Sequence, residues 1–437
     1  MDQATVKISE FAIADQDPPI SRIPHEILAM IFVSTQPDKL HGLASGQQQQ
    51  IRIPVEIPVS HVSTFWRDVA IDTPSLWTTV LVHPTQPSEL MQIYLSRSKT
   101  YPLDVVVNHG AGGFVDISEA CLNMIISHVD RLRSLHVAGP INDIYRTLSL
   151  FHHLAAPQLK ELVLRGRGLE WQPYDRAPHI FAGGAPALSS LRLNGIGLRT
   201  CLPPLSAITS MSLYDLQLSG LWKYQHFLTV LSSTPLLAEL SIHGLLVDHW
   251  EAHANGPVQL HSLRSLWLSG LDTHVSHILY SLSLPHIKFL SLNHLTPSTN
   301  QGIFRLNSSG TPRYPTVLSL VFTRTVSFTG FSSLLPSLTH LTILHCNPLI
   351  ALQEVFTMST SVTPLPDLET LTLFPLCRSN WQILCHLVNL RIRQGFPLRK
   401  LRLDYDSWSL FPLGPSETLN GQVEVEVLTQ APTDHEM

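Results

Sequence analysis

From about residue 130 onward one pattern of apolar and polar positions keeps returning: an apolar residue, two variable ones, an apolar residue, one variable, an apolar residue. Ala185-Pro186-Ala187-Leu188-Ser189-Ser190-Leu191-Arg192-Leu193 is a clear instance. The alternation at its end predicts a short strand of period two, and Pro commonly stands just upstream. The pattern starts at Leu132, Leu159, Leu188, Ile208, Leu237, Leu263, Ile287, Val317, Leu338, Leu368 and Leu398, at intervals of 27, 29, 20, 29, 26, 24, 30, 21, 30 and 30 residues. No such unit can bury its apolar face alone, so the units must stack. First, fourth and sixth positions then point inward, while third, fifth and seventh positions stand on the other side of each strand.

These intervals fit the ~20–29-residue period of leucine-rich repeats. The expected fold is therefore α/β, with an irregular leucine-rich solenoid over residues 129–428 whose parallel strands line a concave side. Small hydroxylated residues dominate that side. Arg192, Tyr214, His243, Trp267, Phe289 and Arg402 stand out against them as candidates for contact with a target protein, since aromatics and arginine dominate binding hot spots. Trp267 and Phe289 have a second reading, as rings lying under a loop. Ile196, Leu216, Leu245, Leu271 and Leu295 occupy the ninth position, where such repeats usually have asparagine, so packing is expected to hold the turns. Val423 to Leu428 reads as a last strand. The basic run around Arg399, Lys400 and Arg402 precedes Glu417, Glu424 and Glu426, a polarity that fits docking in cis; residues 429–437 form an acidic tail.

The N-terminal part follows another period. After a polar, acidic arm over residues 1–19, Ile27, Leu28, Ile31 and Phe32 stand three and four apart behind Pro24 and Glu26, which suit a first helical turn. The pattern lapses over 33–58, where Gly42, Gly46 and the run Gln47 to Gln50 mark an insertion, and resumes with Val62, Phe65, Trp66 and Val69. Thr73-Pro74 opens a further turn and Thr78 to Val82 a strand. Residues 20–80 thus form a small helical module. A connecting helix over 87–98 and a strand at Val105 to Val107 fill 81–128.

Ile23-Pro24-x-Glu26-Ile27-Leu28-x-x-Ile31-Phe32, then Val62-Ser63-x-x-Trp66-Arg67-Asp68-Val69-Ala70, then Thr73-Pro74-x-Leu76-Trp77, closely resemble the F-box in the form common among F-box proteins of mushroom-forming fungi. Leu95-Ser96-Arg97-Ser98 and Pro102 to Val107 extend the match. Ile23 departs from the usual Leu, Ser63 from the frequent Cys, and the insertion separates the first helix from that of Trp66; loop closure grows slowly with length, so such an insertion is tolerable. The resemblance implies a non-catalytic substrate receptor of a cullin-RING ubiquitin ligase. It further implies that Pro24, Ile27, Leu28, Ile31, Phe32, Val62 and Trp66 meet the ligase adaptor while the repeats hold an unidentified target protein. An amphipathic face alone does not say what covers it, so the same residues also fit the module's own core. The alternative function is a ligase-independent scaffold that binds proteins through its repeats.

Composition narrows the classes further. A net charge of -5 provides no broad basic field for nucleic acid, and no run approaches the ~18 apolar residues of a membrane span. Five scattered cysteines make no disulfide framework and fit an intracellular protein, cytoplasmic or nuclear. His152-His153, His249-x3-His253 and His274-x2-His277 have suggestive spacing, yet lack the glutamate and third ligand of a zinc site. No nucleophile elbow or phosphate-binding loop occurs, so neither catalytic residues nor a metal or cofactor are expected.

Overall fold

The computed structural model describes residues 23–36, 54–110, 117–168, 179–196, 202–214, 223–247, 249–250, 257–295, 312–325, 335–346, 365–376, 378–405 and 423–429. The expected acidic arm, and the expected acidic tail from residue 430 on, lie outside these residues. Its centre is a 14-stranded parallel sheet in which neighbours in space are neighbours in sequence. The strands are β1 (Thr79–Val82), β2 (Leu103–Asn108), β3 (Leu132–Pro140), β4 (Glu161–Arg167), β5 (Ser190–Asn194), β6 (Ser210–Tyr214) and β7 (Glu239–His243). After the two-residue β8 (Val258–Gln259) come β9 (Ser265–Ser269), the two-residue β10 (Leu282–Ser283), β11 (Phe289–Asn293), β12 (Ser319–Thr323), β13 (His340–Leu344), β14 (Thr370–Phe374), β15 (Lys400–Asp404) and β16 (Glu424–Leu428). β8 and β10 pair with each other outside the main sheet. This open, sequential order is solenoid-like.

The repeated spelling explains each turn of the chain. First-position residues from Leu132 to Leu398 are all buried, as are fourth- and sixth-position residues such as Leu191 and Leu193. The upstream Pro takes the second place of a tight turn, whose fixed backbone angle it supplies. In those turns the N–H of Leu188 donates to the Ala185 carbonyl at 3.1 Å, and that of Leu237 to Thr234 at 3.2 Å. The second position then links the units laterally: the Lys160 carbonyl accepts from both Ser189 and Ser190 at 3.0 Å.

Past several of the strands the eighth residue turns left-handed. His294, Arg324 and His345 have φ of 61°, 50° and 52°, and Gly195 has 63°. From that position the N–H reaches the next strand's last carbonyl: Gly195 to Tyr214 at 3.0 Å, His294 to Thr323 at 2.9 Å, Arg324 to Leu344 at 3.0 Å. The turns are therefore held by backbone bonds as well as by packing. Ile196 and Leu295 are buried as expected, but Leu271 is 60% exposed, which corrects the packing expectation there; Leu216 lies outside the described residues.

Helices α1 (His25–Ser34), α2 (Glu56–Val59), α3 (Thr64–Ile71) and α4 (Ser88–Arg97) pack at the β1 end. Ser63 caps α3, its hydroxyl accepting from the Trp66 N–H at 3.1 Å. Trp77 is fully buried: its indole N–H donates to the Ala70 carbonyl at 2.7 Å, Tyr94 meets its ring at 5.2 Å, and the Arg97 guanidinium lies 4.3 Å above it. α2 falls inside the stretch expected as an insertion. Glu56 is buried there and accepts from the Tyr94 hydroxyl at 2.7 Å; burial and this carboxylate push the Tyr94 hydroxyl's pKa up. Tertiary anchoring, invisible in the local sequence, thus returns residues 54–59 to the packed module. The sheet itself begins at Thr79, so the strand expected at Val105 to Val107 is its second, β2, paired between β1 and β3.

Further helices are α5 (Glu119–Ile126), α6 (Ile141–Ser149), α7 (Tyr224–Ser232), α8 (Asp272–Ser281) and α9 (Arg378–Arg393). Among the described residues no helix is long and apolar enough to cross a membrane.

Candidate functional site

Two surfaces carry the residues singled out by the sequence. On α1, Leu28 and Phe32 are 1% and 2% exposed, and the Phe32 ring lies 5.0 Å from that of Trp66 on α3. The direct partner contact expected of Leu28 and Phe32 is therefore corrected: both are used up in the chain's own core, with Trp66 half-buried against it. Pro24, Ile27 (46% exposed) and Ile31 (42%) remain accessible, and so does Val62 at the turn before α3. Met30 at 67% and Val33 at 39% join them on α1. Sequence reasoning missed these two, although the nearly unbroken apolar run from Ile27 to Val33 was the signal. α1 is apolar on all sides and packed on one, whereas a surface helix normally turns polar residues outward.

The second surface is the sheet face formed by third, fifth and seventh positions. It is unevenly open. Ser134 and His136 on β3, Ser291 on β11, Val321 on β12 and Thr372 on β14 are buried, while Arg192, Asn194 and Glu239 on β5 and β7 are exposed. Register sets Arg165, Asn194, Tyr214 and His243 side by side at the seventh positions of β4 to β7. The Tyr214 and His243 rings stack, 4.5 Å apart and 4° from parallel. Trp267 and Phe289, on β9 and β11, meet at 5.0 Å; both are half-buried, and among the described residues the Trp267 indole N–H meets no hydrogen-bond partner.

Arginines divide between these strands. Arg192 pairs with Glu161 at 3.5 Å, and Glu161 also lies 3.4 Å from His136. Arg165, on the same face as Arg192, is half-buried; burial first, and then the neighbouring Arg192 and Arg167, lower its affinity for its proton. Arg402 differs from expectation. Its Nε donates to Glu426 at 2.9 Å and Lys400 reaches Glu424 and Glu426 at 3.2 and 3.3 Å, so β16 engages this basic end within the chain. The histidine pairs make ring contacts: His277 stacks on Trp250 at 5.3 Å and His274 accepts from its indole N–H at 3.2 Å. Among the described residues no three His, Cys, Asp or Glu side chains are grouped to hold a metal; His253 and Cys377 lie outside those residues.

No protein-family model matches the chain, and no curated protein matches it. Among solved structures, a Bacteroides fragilis protein known from its crystal structure is similar at 13% identity over 78% of this chain and 77% of that one, with a TM-score of 0.30.

Proposed function

We propose that the chain is a non-catalytic substrate receptor, an F-box-like module joined to a leucine-rich solenoid, which brings a protein to a cullin-RING ubiquitin ligase. The observation that carries this reading is the exposed apolar side of α1, formed by Ile27, Met30, Ile31 and Val33 in the segment that resembles the F-box. Such a surface is stabilised by covering it. A target held on the sheet face would then stay near the ligase, and tethering raises its effective concentration there without any chemistry from this chain.

The test is co-purification of the full chain with the ligase adaptor. The double substitution Ile27→Asp with Ile31→Asp is expected to abolish the complex and leave the unfolding free energy within about 0.5 kcal/mol of wild type, because both side chains are already exposed. Leu28→Ala is expected to cost about 3 kcal/mol of stability as a core deletion. A well-folded wild-type chain that ignores the adaptor would sink the receptor reading in favour of the ligase-independent scaffold.

A further inference from the structure

Three arginines converge where the sheet face is most open. Arg165 and Arg167 are two residues apart on β4, and so on one side of the strand; Arg192 stands on the adjacent β5, opposite Val163. With strands ~4.8 Å apart and ~3.3 Å of rise per residue, Arg165 stands between the other two, and its guanidinium is close enough to feel the charge of both. One carboxylate reaches this cluster. Glu161 sits at the other end of β4, against Arg192 and His136. Among the described residues neither Arg165 nor Arg167 is ion-paired. Glu161 compensates Arg192 only; at Arg165 partial burial and the charges of Arg192 and Arg167 act together, a cost that a bound anion would reduce.

The surroundings fit a compact anion on a chain rather than a polyanion. Asn194 and Tyr214 stand beside Arg165 in the same row, offering an amide and a phenol next to the guanidinium forks. The flat Tyr214–His243 stack then continues the row as a wall against which an extended segment can lie. Beyond the cluster the same face carries Glu161 and Glu239, which would repel the continuous phosphates of a nucleic acid. Planar guanidinium forks match oxyanions with two acceptor oxygens, the geometry shared by phosphoryl and carboxylate groups.

We propose that Arg165, Arg167 and Arg192 form an oxyanion site on the sheet face, and that it receives a phosphoryl or carboxylate group carried by an extended segment of the bound protein. The occupant's role as a ligase target rests on the receptor reading above; the anion site does not. Three probes separate the sources of charge: the peptides Gly-Gly-phosphoSer-Gly-Gly, Gly-Asp-Asp-Asp-Gly and Gly-Gly-Ser-Gly-Gly, titrated calorimetrically into the full-length chain at low salt. Binding of the phosphopeptide alone assigns a phosphoryl group, and binding of both anionic peptides assigns oxyanions in general; the neutral peptide is expected to give no heat. Arg165→Gln and, separately, the exposed Arg167→Gln are each expected to weaken binding about fivefold, the share of one charge-assisted contact. Arg264→Gln, an exposed arginine on a turn before β9, is expected to leave binding unchanged. Absence of binding by both anionic peptides, or binding indifferent to Arg165→Gln and Arg167→Gln in variants that unfold at the wild-type midpoint, overturns the site. Loss of the adaptor complex with anion binding intact would overturn the receptor reading alone.

Discussion

Single positions decide whether the turns of this sheet close. Gly195 has φ of 63°, and a β-carbon there would stand 2.3 Å from the Gly166 carbonyl oxygen; at Gly270, with φ of 153°, it would stand 2.9 Å from that of Gly244. Left-handed backbone and lack of room thus coincide, and only glycine meets both. Later units relax one demand: His294, Arg324 and His345 hold the same left-handed turn with a side chain pointing outward, at a strain of about 1 kcal/mol each. Opposite substitutions should therefore have opposite effects. Gly195→Ala is expected to destabilise the protein by about 2 kcal/mol or more, whereas His345→Gly changes stability by less than about 1 kcal/mol. Urea unfolding of both variants checks this, and equal losses at the two positions would show that the left-handed turn is not what Gly195 supplies.

Elements were legible in the sequence to the degree that their determinants were local. Strand positions followed from spacing because the first, fourth and sixth residues meet their counterparts in adjacent units, as Leu191 meets Leu162 and Met211. The covered side of α1 was not legible, since a helix apolar all round gives period analysis no contrast between Leu28 and Ile31. Nor was the burial of Glu56, whose partner Tyr94 is 38 residues away. Arg165 next to Arg192 likewise depends on lateral register. The cis docking of the C-terminal acids was readable from charge order, and it makes β16 sensitive to pH. The bond from Arg402, and then Lys400, hold the Glu426 carboxyl below its ordinary range, while the bonds to Glu424 and Glu426 raise the Lys400 ammonium. A depressed carboxylate stabilises the fold above its unfolded value of ~4.3 and loses that effect as pH falls through the folded value; a raised lysine stabilises below ~10.4 and loses it as pH rises through its folded value. β16 is thus held best between these limits. Hydrogen-exchange protection of β16, measured relative to β14, is expected to fall near pH 3 and, at pH 7, on Glu426→Gln. Unchanged relative protection in both cases would mean that backbone pairing alone retains the strand.

At the scale of the whole molecule, the sequential strand order makes stability a chain of nearest-neighbour terms. Each layer touches the one before and the one after: Leu266 on β9 stands between Leu240 on β7 and Leu290 on β11, all three inaccessible to water. An open parallel sheet of this kind has two ends, and they are finished differently. β16 closes one with charged residues on a half-buried strand, while the helical module closes the other by packing Leu76, Trp77 and Val69 beside β1. Damage should therefore stay near where it is done. Trp77→Ala removes a fully buried side chain and its bond to Ala70, at a cost of about 4 kcal/mol. That loss is expected to expose β1 to β3 to exchange while β11 to β14 keep their protection, because each strand of the sheet pairs only with its neighbours. Leu266→Ala, at about 3 kcal/mol, is expected instead to loosen β7 to β11 and divide thermal unfolding into two steps. Site-resolved exchange on the two variants distinguishes this from a single cooperative unit, in which both substitutions would lower protection uniformly from β1 to β16.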